Sequence, residues 1–208
     1  MSKTVSTLDA LRAFYIAEKL MRDIIHSSKK DEKKLRRKLA QAIKKVEKMP
    51  QKKLLTYATD QWGPRFDNYL NSRWALKKVP LDECGVWPRM GKLPDAATSG
   101  TAVDTAEYLR PYLAGKKKMT PRMKRVLYIE KLRRFAEIIT EYVPIIAFEG
   151  GLIRHNKLQK ESQRKLYKRC KYDIDDGNHR AVSLALHGKK EILALVGTRI
   201  HKSDLLYF

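Results

Sequence analysis

Cysteine is scarce in this chain, since the 208 residues include only Cys84 and Cys170. The two stand far apart, with no CxxC partner and no histidine cluster at the spacing of metal ligands, so we expect no zinc site. Isolated thiols are typical of a reducing compartment and predict a cytoplasmic protein, with one long-range disulfide as the open alternative.

Long apolar runs are missing as well. No stretch reaches the roughly eighteen residues that a membrane span needs, although 43% of the residues are hydrophobic. The first twenty residues also lack the continuous apolar core and the small-residue cleavage site of a secretory signal. We therefore expect a protein without a membrane partner.

Acidic residues are few relative to basic ones. The chain has 23 Asp and Glu against 45 Lys and Arg, a formal net charge of +22. Such a charge attracts polyanions and gives salt-sensitive affinity for phosphate backbones. A solvated lysine-rich surface of the thermophile kind is the alternative, but there glutamate usually balances lysine. The composition predicts a nucleic-acid-binding protein but does not distinguish DNA from RNA. For the function of the whole chain we favour DNA over RNA.

Residues 1–53 are predicted to form a basic helical hairpin. Apolar residues recur at helical spacing after a cap at Ser6 or Thr7, and a second, narrower apolar stripe ends before Pro50. Residues 27–53 carry twelve basic residues and three acidic ones. Direct phosphate contact and an ordinary solvated helix face both explain that charge.

Residues 54–75 are predicted to form a helical connector. They include four large aromatic residues, Trp62, Phe66, Tyr69 and Trp74. Helical spacing favours a core position for these side chains, and base stacking next to Arg65 and Arg73 is the alternative.

Strands and helices are both predicted after residue 76. The patterns indicate strands at 77–81 and 143–151 and helices at 105–114 and 120–139. Residues 154–171 hold eight basic residues and one acid, which predicts an exposed helix or insert. We expect nucleic acid to contact cations from three segments: Lys33, Lys34, Arg36, Arg37, Lys116, Lys117, Lys118, Arg122, Lys124, Arg125, Arg164, Lys165, Lys168 and Arg169.

The segment YDIDDGNHRAVSLALHGKKEILALVG, residues 172–197, predicts a strand, a turn at Asp176-Gly177, a helix and a second strand. A glycine turn into a helix leaves several backbone N–H groups pointing one way, which favours an anion. Arg180 can bind that anion through two hydrogen bonds, and His179 can donate a hydrogen bond or carry a proton. An ordinary turn with a helix cap is the alternative.

Asp176 is the unusual member of this turn. A carboxylate repels an anion unless it binds a metal or accepts a proton from a nucleophile. Asp176 is therefore a candidate catalytic residue and a candidate Mg²⁺ ligand.

The Asp-Gly-x-His-Arg pattern within residues 172–197 resembles the ParB/sulfiredoxin-like domain, and is most similar to ParB-like free serine kinases and DGQHR proteins. The resemblance implies an α+β fold in which residues 76–208 form a small mixed-sheet domain with helical insertions. It also implies a nucleotide ligand, ATP, ADP or CTP with Mg²⁺, whose phosphates are held by Gly177, Asn178, His179 and Arg180.

The resemblance to the kinases also implies catalytic roles. The aspartate that matches Asp176 assists phosphoryl transfer there, with His179 as a further candidate, and Glu107 is the nearest candidate for a second catalytic glutamate. Sulfiredoxins have a nucleophilic cysteine where this chain has Asn178, so we expect no sulfinic acid reduction. The chain also ends too soon after the motif for the helix-turn-helix domain of partition proteins, so we expect no partition function.

Two functions remain. The first is nucleic-acid binding with a phosphate-binding turn, favoured because a small-molecule kinase gains nothing obvious from a charge of +22. The alternative is a nucleotide-dependent phosphotransferase or a ParB-like nuclease.

Overall fold

The computed structural model describes residues 2–28, 31–62, 66–86, 100–120, 123–150 and 170–200. Within them lies a six-stranded sheet: β1 (Lys3–Val5), β2 (Ser72–Pro80), β3 (Cys84–Gly85), β4 (Ile145–Glu149), β5 (Tyr172–Asp176) and β6 (Glu191–Arg199). The order across the sheet is β1-β2-β6-β4-β5-β3. The β6–β4 and β5–β3 pairs are parallel and the other pairs antiparallel. The predicted α+β class with a mixed sheet is confirmed.

Helices lie on both faces of this sheet. In chain order the described helices are α1 (Thr7–Tyr15), α2 (Met21–Ser28), α3 (Glu32–Glu47), α4 (Gln51–Trp62), α5 (Asp67–Leu70), α6 (Ala102–Leu113), α7 (Lys124–Leu132), α8 (Ala136–Tyr142) and α9 (Asn178–Leu186). A short π-helical segment, Ile16–Leu20, joins α1 to α2. None of the helices in the described parts of the chain is both long enough and apolar enough to cross a membrane.

One face of the sheet packs against α6, α7 and α9. Alternate strand residues point to this side, including Ala147 of β4, Ile174 of β5 and Val196 of β6. Helix α9 contributes nearly its whole length, because every residue of it except the half-buried His179 is buried. This packing fixes the N-terminus of α9 against the ends of β4 and β5.

The opposite face packs against the N-terminal helices. Phe14 of α1 and Leu39 of α3 share a core with Trp74 and Ile146 of the sheet, and β1 pairs with β2 as an edge strand. The described residues of this N-terminal part therefore pack on the sheet and, through β1, pair with it. The physical reason is the narrow apolar stripe of α3, which needs a second apolar surface to cover it.

The aromatic residues after α4 are core residues, as predicted. Phe66, Tyr69 and Trp74 are buried, but Trp74 lies on β2 and not on a helix. Strand β2 starts at Ser72, earlier than the spacing indicates, because nine residues pair with β6. Trp74 is opposite Gly197, where an added Cβ would come within 2.9 Å of the Phe148 ring. Strand pairing therefore overrides the apparent helical spacing.

The helix predicted at 120–139 is two helices, α7 and α8, separated by a turn at residues 133–135. Val126 and Ile129 of α7 belong to the core on the sheet face covered by α6, α7 and α9. Ile138 and Ile139 of α8 belong to the core on the opposite face, beside the N-terminal helices. Leu132 at the end of α7 already belongs to the core beside the N-terminal helices, and Ala136 at the start of α8 belongs to the core beside α9. The chain therefore passes from one core to the other at this turn.

Both cysteines are buried and neither forms a disulfide, so the disulfide alternative is not formed. Cys84 donates a hydrogen bond from Sγ to the carbonyl oxygen of Pro80 at 3.1 Å. Burial raises the pKa of the Cys84 thiol well above its ordinary value. Such a thiol is protonated at neutral pH and a poor nucleophile.

Candidate functional site

The turn between β5 and α9 is formed as the sequence predicts. Gly177 has a φ of +97° and precedes the first residue of α9. An added Cβ would lie 2.4 Å from Cγ2 of Ile145 on the neighbouring strand β4. Both the left-handed backbone and this close approach require glycine. The turn therefore brings the start of α9 directly against the sheet.

Arg180 and Asp176 form a buried ion pair across this turn. Nη2 of Arg180 donates to Oδ2 of Asp176 at 2.8 Å, and Nη1 donates to the carbonyl oxygen of Val143. The Arg180 side chain is only 7% exposed. Arg180 thus ties α9 to the end of β5 and to the residue after α8. A phosphate at this turn would compete with Asp176 for the Arg180 guanidinium. Phosphate binding by Arg180 stays a prediction.

Burial raises the pKa of the Asp176 carboxyl, and the nearby Asp175 adds to this, against the opposing effects of Arg180 and the Gly177 N–H. Asp175 accepts a hydrogen bond of 2.6 Å from the buried hydroxyl of Tyr69. Sequence reasoning missed Asp175. The period of two along β5 is the signal that separates it from Asp176 onto the other face.

A small cavity of about 170 Å³ opens at the turn, and its lining includes Asp176, Gly177 and His179. Arg22 from α2 and Tyr128 from α7 also line it, and the His179 and Tyr128 rings meet edge to face with centroids 5.4 Å apart. No sequence signal links Arg22 or Tyr128 to the turn, because both come from distant segments. Small-molecule pockets usually start near 300 Å³, so this space suits a phosphate-sized group better than a whole nucleotide.

Asn178 and Glu107 are the two other residues that were predicted to belong to this site. Asn178 is buried. Glu107 is on α6, where its carboxylate accepts a hydrogen bond from Nε of Arg110 at 2.9 Å. Arg110 also donates to carbonyl oxygens at the C-terminal end of α9. Glu107 therefore lies towards the end of α9 opposite the turn, and the structure does not bring it to Asp176.

Metal ligands are sparse around Asp176. The described part of the chain has no group of three or more His, Cys, Asp or Glu side chains placed to hold a metal ion. A Mg²⁺ ion often uses only one or two carboxylates together with water and substrate phosphates. Asp176 could be such a Mg²⁺ ligand only if its carboxylate left the ion pair with Arg180 and bound the metal ion instead.

The cations of α3 differ in their exposure and in their partners. Arg36 is committed to a salt bridge of 2.8 Å with Glu141 of α8, and Lys34 is half-buried. Four other cations recur at helical spacing and are exposed, with no salt bridge among the described residues: Lys33, Arg37, Lys44 and Lys48. We call these four the α3 stripe. Sequence reasoning missed Lys44 and Lys48, although their spacing of seven and eleven residues from Arg37 was visible.

The remaining predicted cations are less informative. Residues 116–118 are exposed in the turn after α6, where Nζ of Lys117 lies 5.7 Å from the ring centroid of Tyr112. Lys124 and Arg125 lie in the first turn of α7. The other predicted cations lie outside the described residues: Arg122, Arg164, Lys165, Lys168 and Arg169.

No protein-family model, no curated protein and no solved structure matches the chain. The ParB/sulfiredoxin resemblance of residues 172–197 stays a prediction. Any functional proposal must accordingly be supported by the geometry and charge of the chain itself.

Proposed function

We propose that this protein binds the phosphate backbone of nucleic acid, with duplex DNA as the preferred form, and that the α3 stripe is its principal contact. The observation that carries the proposal is the stripe itself. Its four cations face solvent on one side of a helix whose other side is anchored in the core by Leu35 and Leu39. Because the helix is anchored in the core, its backbone is already ordered before it contacts a polyanion, and only the side chains lose conformational freedom on binding.

The dimensions of the stripe suit a duplex. From Lys33 to Lys48 the helix rises about 22 Å, at roughly 1.5 Å per residue. Duplex DNA carries about one charge per 1.7 Å along its axis, so roughly thirteen phosphates lie within that length. The net charge of +22 adds long-range attraction. Backbone contacts of this kind carry no base preference.

The test is a salt titration of binding to a short DNA duplex, with the unchanged chain compared with a triple variant, Lys33→Gln, Arg37→Gln and Lys44→Gln. Each lost phosphate contact should make the slope of log K against log salt shallower by about 0.9. We therefore expect a change of about 2.7 in the variant. An RNA duplex of the same length measures the preference for DNA.

The matched control removes three exposed cations that are already in salt bridges, by Arg133→Gln, Arg134→Gln and Lys189→Gln. The net charge changes equally, but the slope should stay nearly constant. An equal change in both variants would mean that diffuse charge and not the stripe binds the duplex. Binding weaker than millimolar at low salt would reject nucleic-acid association altogether.

A nucleotide-dependent phosphotransferase is the second candidate, favoured by the cavity at the Gly177 turn with its cation Arg22 and its imidazole His179. The Asp176–Arg180 ion pair and the small cavity volume count against it. The same protein preparations discriminate the two candidates when ATP, ADP and CTP are assayed with serine and Mg²⁺. Turnover that is lost in Asp176→Asn would favour the enzyme, and no turnover with any of the nucleotides would remove it.

A further inference from the structure

Two tyrosines lie one turn apart on α6. Tyr108 and Tyr112 are half-buried, and both pack against the core beside α9. Their ring centroids are 5.6 Å apart with the ring planes tilted by 30°. The Tyr112 hydroxyl donates to the Tyr108 hydroxyl at 3.4 Å. The two rings therefore form a packed pair that remains partly accessible to solvent.

Three consecutive lysines follow the tyrosine pair. Lys116, Lys117 and Lys118 are exposed, and none of them forms a salt bridge within the described parts of the chain. The backbone N–H groups of Lys116 and Lys117 both donate to the carbonyl oxygen of Pro111, at 2.8 and 3.1 Å. These bonds hold three positive charges at the end of α6 that carries Tyr112. We call the tyrosine pair and residues 116–118 the α6 surface.

One of these lysines contacts the tyrosine pair directly. Nζ of Lys117 lies over the Tyr112 ring, 5.7 Å from its centroid. Because Lys117 is exposed, this contact indicates that the Tyr112 ring can be reached from solvent. A cation–π contact at an exposed site is weaker than the stacking of a nucleic-acid base on an aromatic ring. An unpaired base therefore displaces the ammonium from the ring, and the freed ammonium can pair with a phosphate.

We propose that the α6 surface binds single-stranded nucleic acid, with an unpaired base stacked on Tyr112 and the three lysines on neighbouring phosphates. The charge favours a polyanion, and aromatic rings add affinity for one whose base faces are free to stack. The paired bases inside a duplex do not offer those faces. This inference rests on the proposed association with nucleic acid, but it assigns the single-stranded form to a separate surface, because α6 and α3 pack on opposite faces of the sheet.

The test for stacking compares two ligands of equal charge. A short oligothymidylate and an abasic oligomer with the same number of phosphates are titrated with the full chain at low salt, and fluorescence anisotropy measures binding. We expect the oligothymidylate to bind about tenfold more tightly, the effect of one stacked base. Tyr112→Leu should remove this ratio and Tyr108→Leu should reduce it, with the abasic affinity unchanged. The matched control is Tyr15→Leu, at a half-buried tyrosine of α1, which should keep the ratio. Equal binding of the two oligomers by the unchanged chain would overturn the proposal.

The lysines should affect a different quantity. Lys116→Gln, Lys117→Gln and Lys118→Gln together should make the slope of log K against log salt shallower by about 2.1 for both oligomers, at about 0.7 for each phosphate contact with a single strand. The ratio between the oligomers should remain. The triple variant of the α3 stripe should also keep this ratio, and its loss there would contradict the inference.

The two proposals can fail separately. Duplex binding that depends on the α3 stripe, together with equal binding of the two oligomers, removes only this inference. A tenfold ratio without duplex binding at low salt removes only the stripe as a duplex contact.

Photocrosslinking locates the base on the unchanged chain, so it decides the matter if circular dichroism shows that the leucine variants are unfolded. The probe is the same oligomer with 5-iododeoxyuridine in place of thymidine. We expect crosslinks at Tyr108 or Tyr112. Crosslinks confined to other aromatic residues would contradict the proposal.

Discussion

At Gly177 a single missing Cβ determines whether α9 can start where it does. The left-handed backbone costs other residues about 1–2 kcal/mol. Contact with Ile145 adds to this, because that side chain sits on a paired strand and cannot move freely. The same residue was predicted to be the centre of a phosphate-binding turn. Its structural role is sufficient to explain the glycine, whatever the turn binds.

Gly177→Ala should therefore destabilise the protein by about 2–5 kcal/mol, the sum of the backbone cost and the overlap with β4. Urea unfolding followed by circular dichroism measures the change. Gly188→Ala is the control, because Gly188 also has a positive φ, +74°, but no atom lies within 4 Å of the added Cβ. It should cost only about 1–2 kcal/mol. Equal losses at both positions would show that the contact with Ile145 contributes nothing.

Asp176 and Arg180 show why residue types alone did not define the site. Both were expected to face a ligand, and the structure pairs them with each other at 2.8 Å. A spacing of four residues across a helix start permits this contact as readily as it permits two separate ligand contacts. Only the position of Val143, from a distant segment, directs the guanidinium inwards.

Among the helices, α1 has the N-terminus that the sequence indicates most directly. Ser6 caps it, and Ser6 and Asp9 form a capping box in which each side chain accepts from the other residue's backbone N–H. Burial on its own would raise the pKa of Asp9, but the hydrogen bonds from Ser6 and Arg12 outweigh burial and lower the pKa below its ordinary value. The ionised carboxylate therefore stabilises α1.

The lowered pKa of Asp9 sets the sign of a pH effect. The unfolded chain protonates Asp9 near its ordinary pKa of about 3.9, before the folded chain does. The stabilisation is thus fully present above that pH and is lost as the pH falls through the folded pKa. Asp9→Asn should cost about 1 kcal/mol at pH 7, and the difference from the unchanged chain should shrink in acid.

Urea unfolding between pH 2 and pH 7 measures the difference in the free energy of unfolding. Asp23→Asn, at an exposed position of α2, is the control, and it should remain within about 0.5 kcal/mol of the unchanged chain. A difference for Asp9→Asn that stays constant across this range would show that the Asp9 charge does not stabilise the helix.

For the molecule as a whole, the two cores share one sheet. β6 contributes Val196 to one core and Leu195 to the other. Substitutions that destabilise the N-terminal helices should therefore also destabilise the C-terminal strands. The sequence-based division into units 1–53, 54–75 and 76–208 stays a prediction. That division followed changes in composition, which do not reveal that β1 pairs with β2.

Leu39→Ala tests this coupling. Leu39 is fully buried on α3, and its truncation should lower the global stability by about 2–5 kcal/mol. Because the sheet is shared, hydrogen exchange at the β6 amides should accelerate by the factor that corresponds to the lost free energy of unfolding. Leu127→Ala, at an exposed position, should leave exchange unchanged. Unaltered β6 exchange in Leu39→Ala would mean that the N-terminal helices unfold independently.

Local features of the chain were determined by the sequence itself. The caps of α1 and α6, the turn at Gly177, the strand-turn-helix-strand order of residues 172–197 and the excess of basic residues depend on neighbours close in the chain or on composition alone. Such features follow from backbone sterics, hydrogen bonding and charge counting, which act over a few residues.

Long-range pairing was decided only by the tertiary structure. It extended β2 to Trp74 opposite Gly197, divided α7 from α8, and paired Arg180 with Asp176 and Val143. Each of these depends on which distant segments meet across the sheet. That choice is made by the burial of two apolar faces together, which no local pattern specifies.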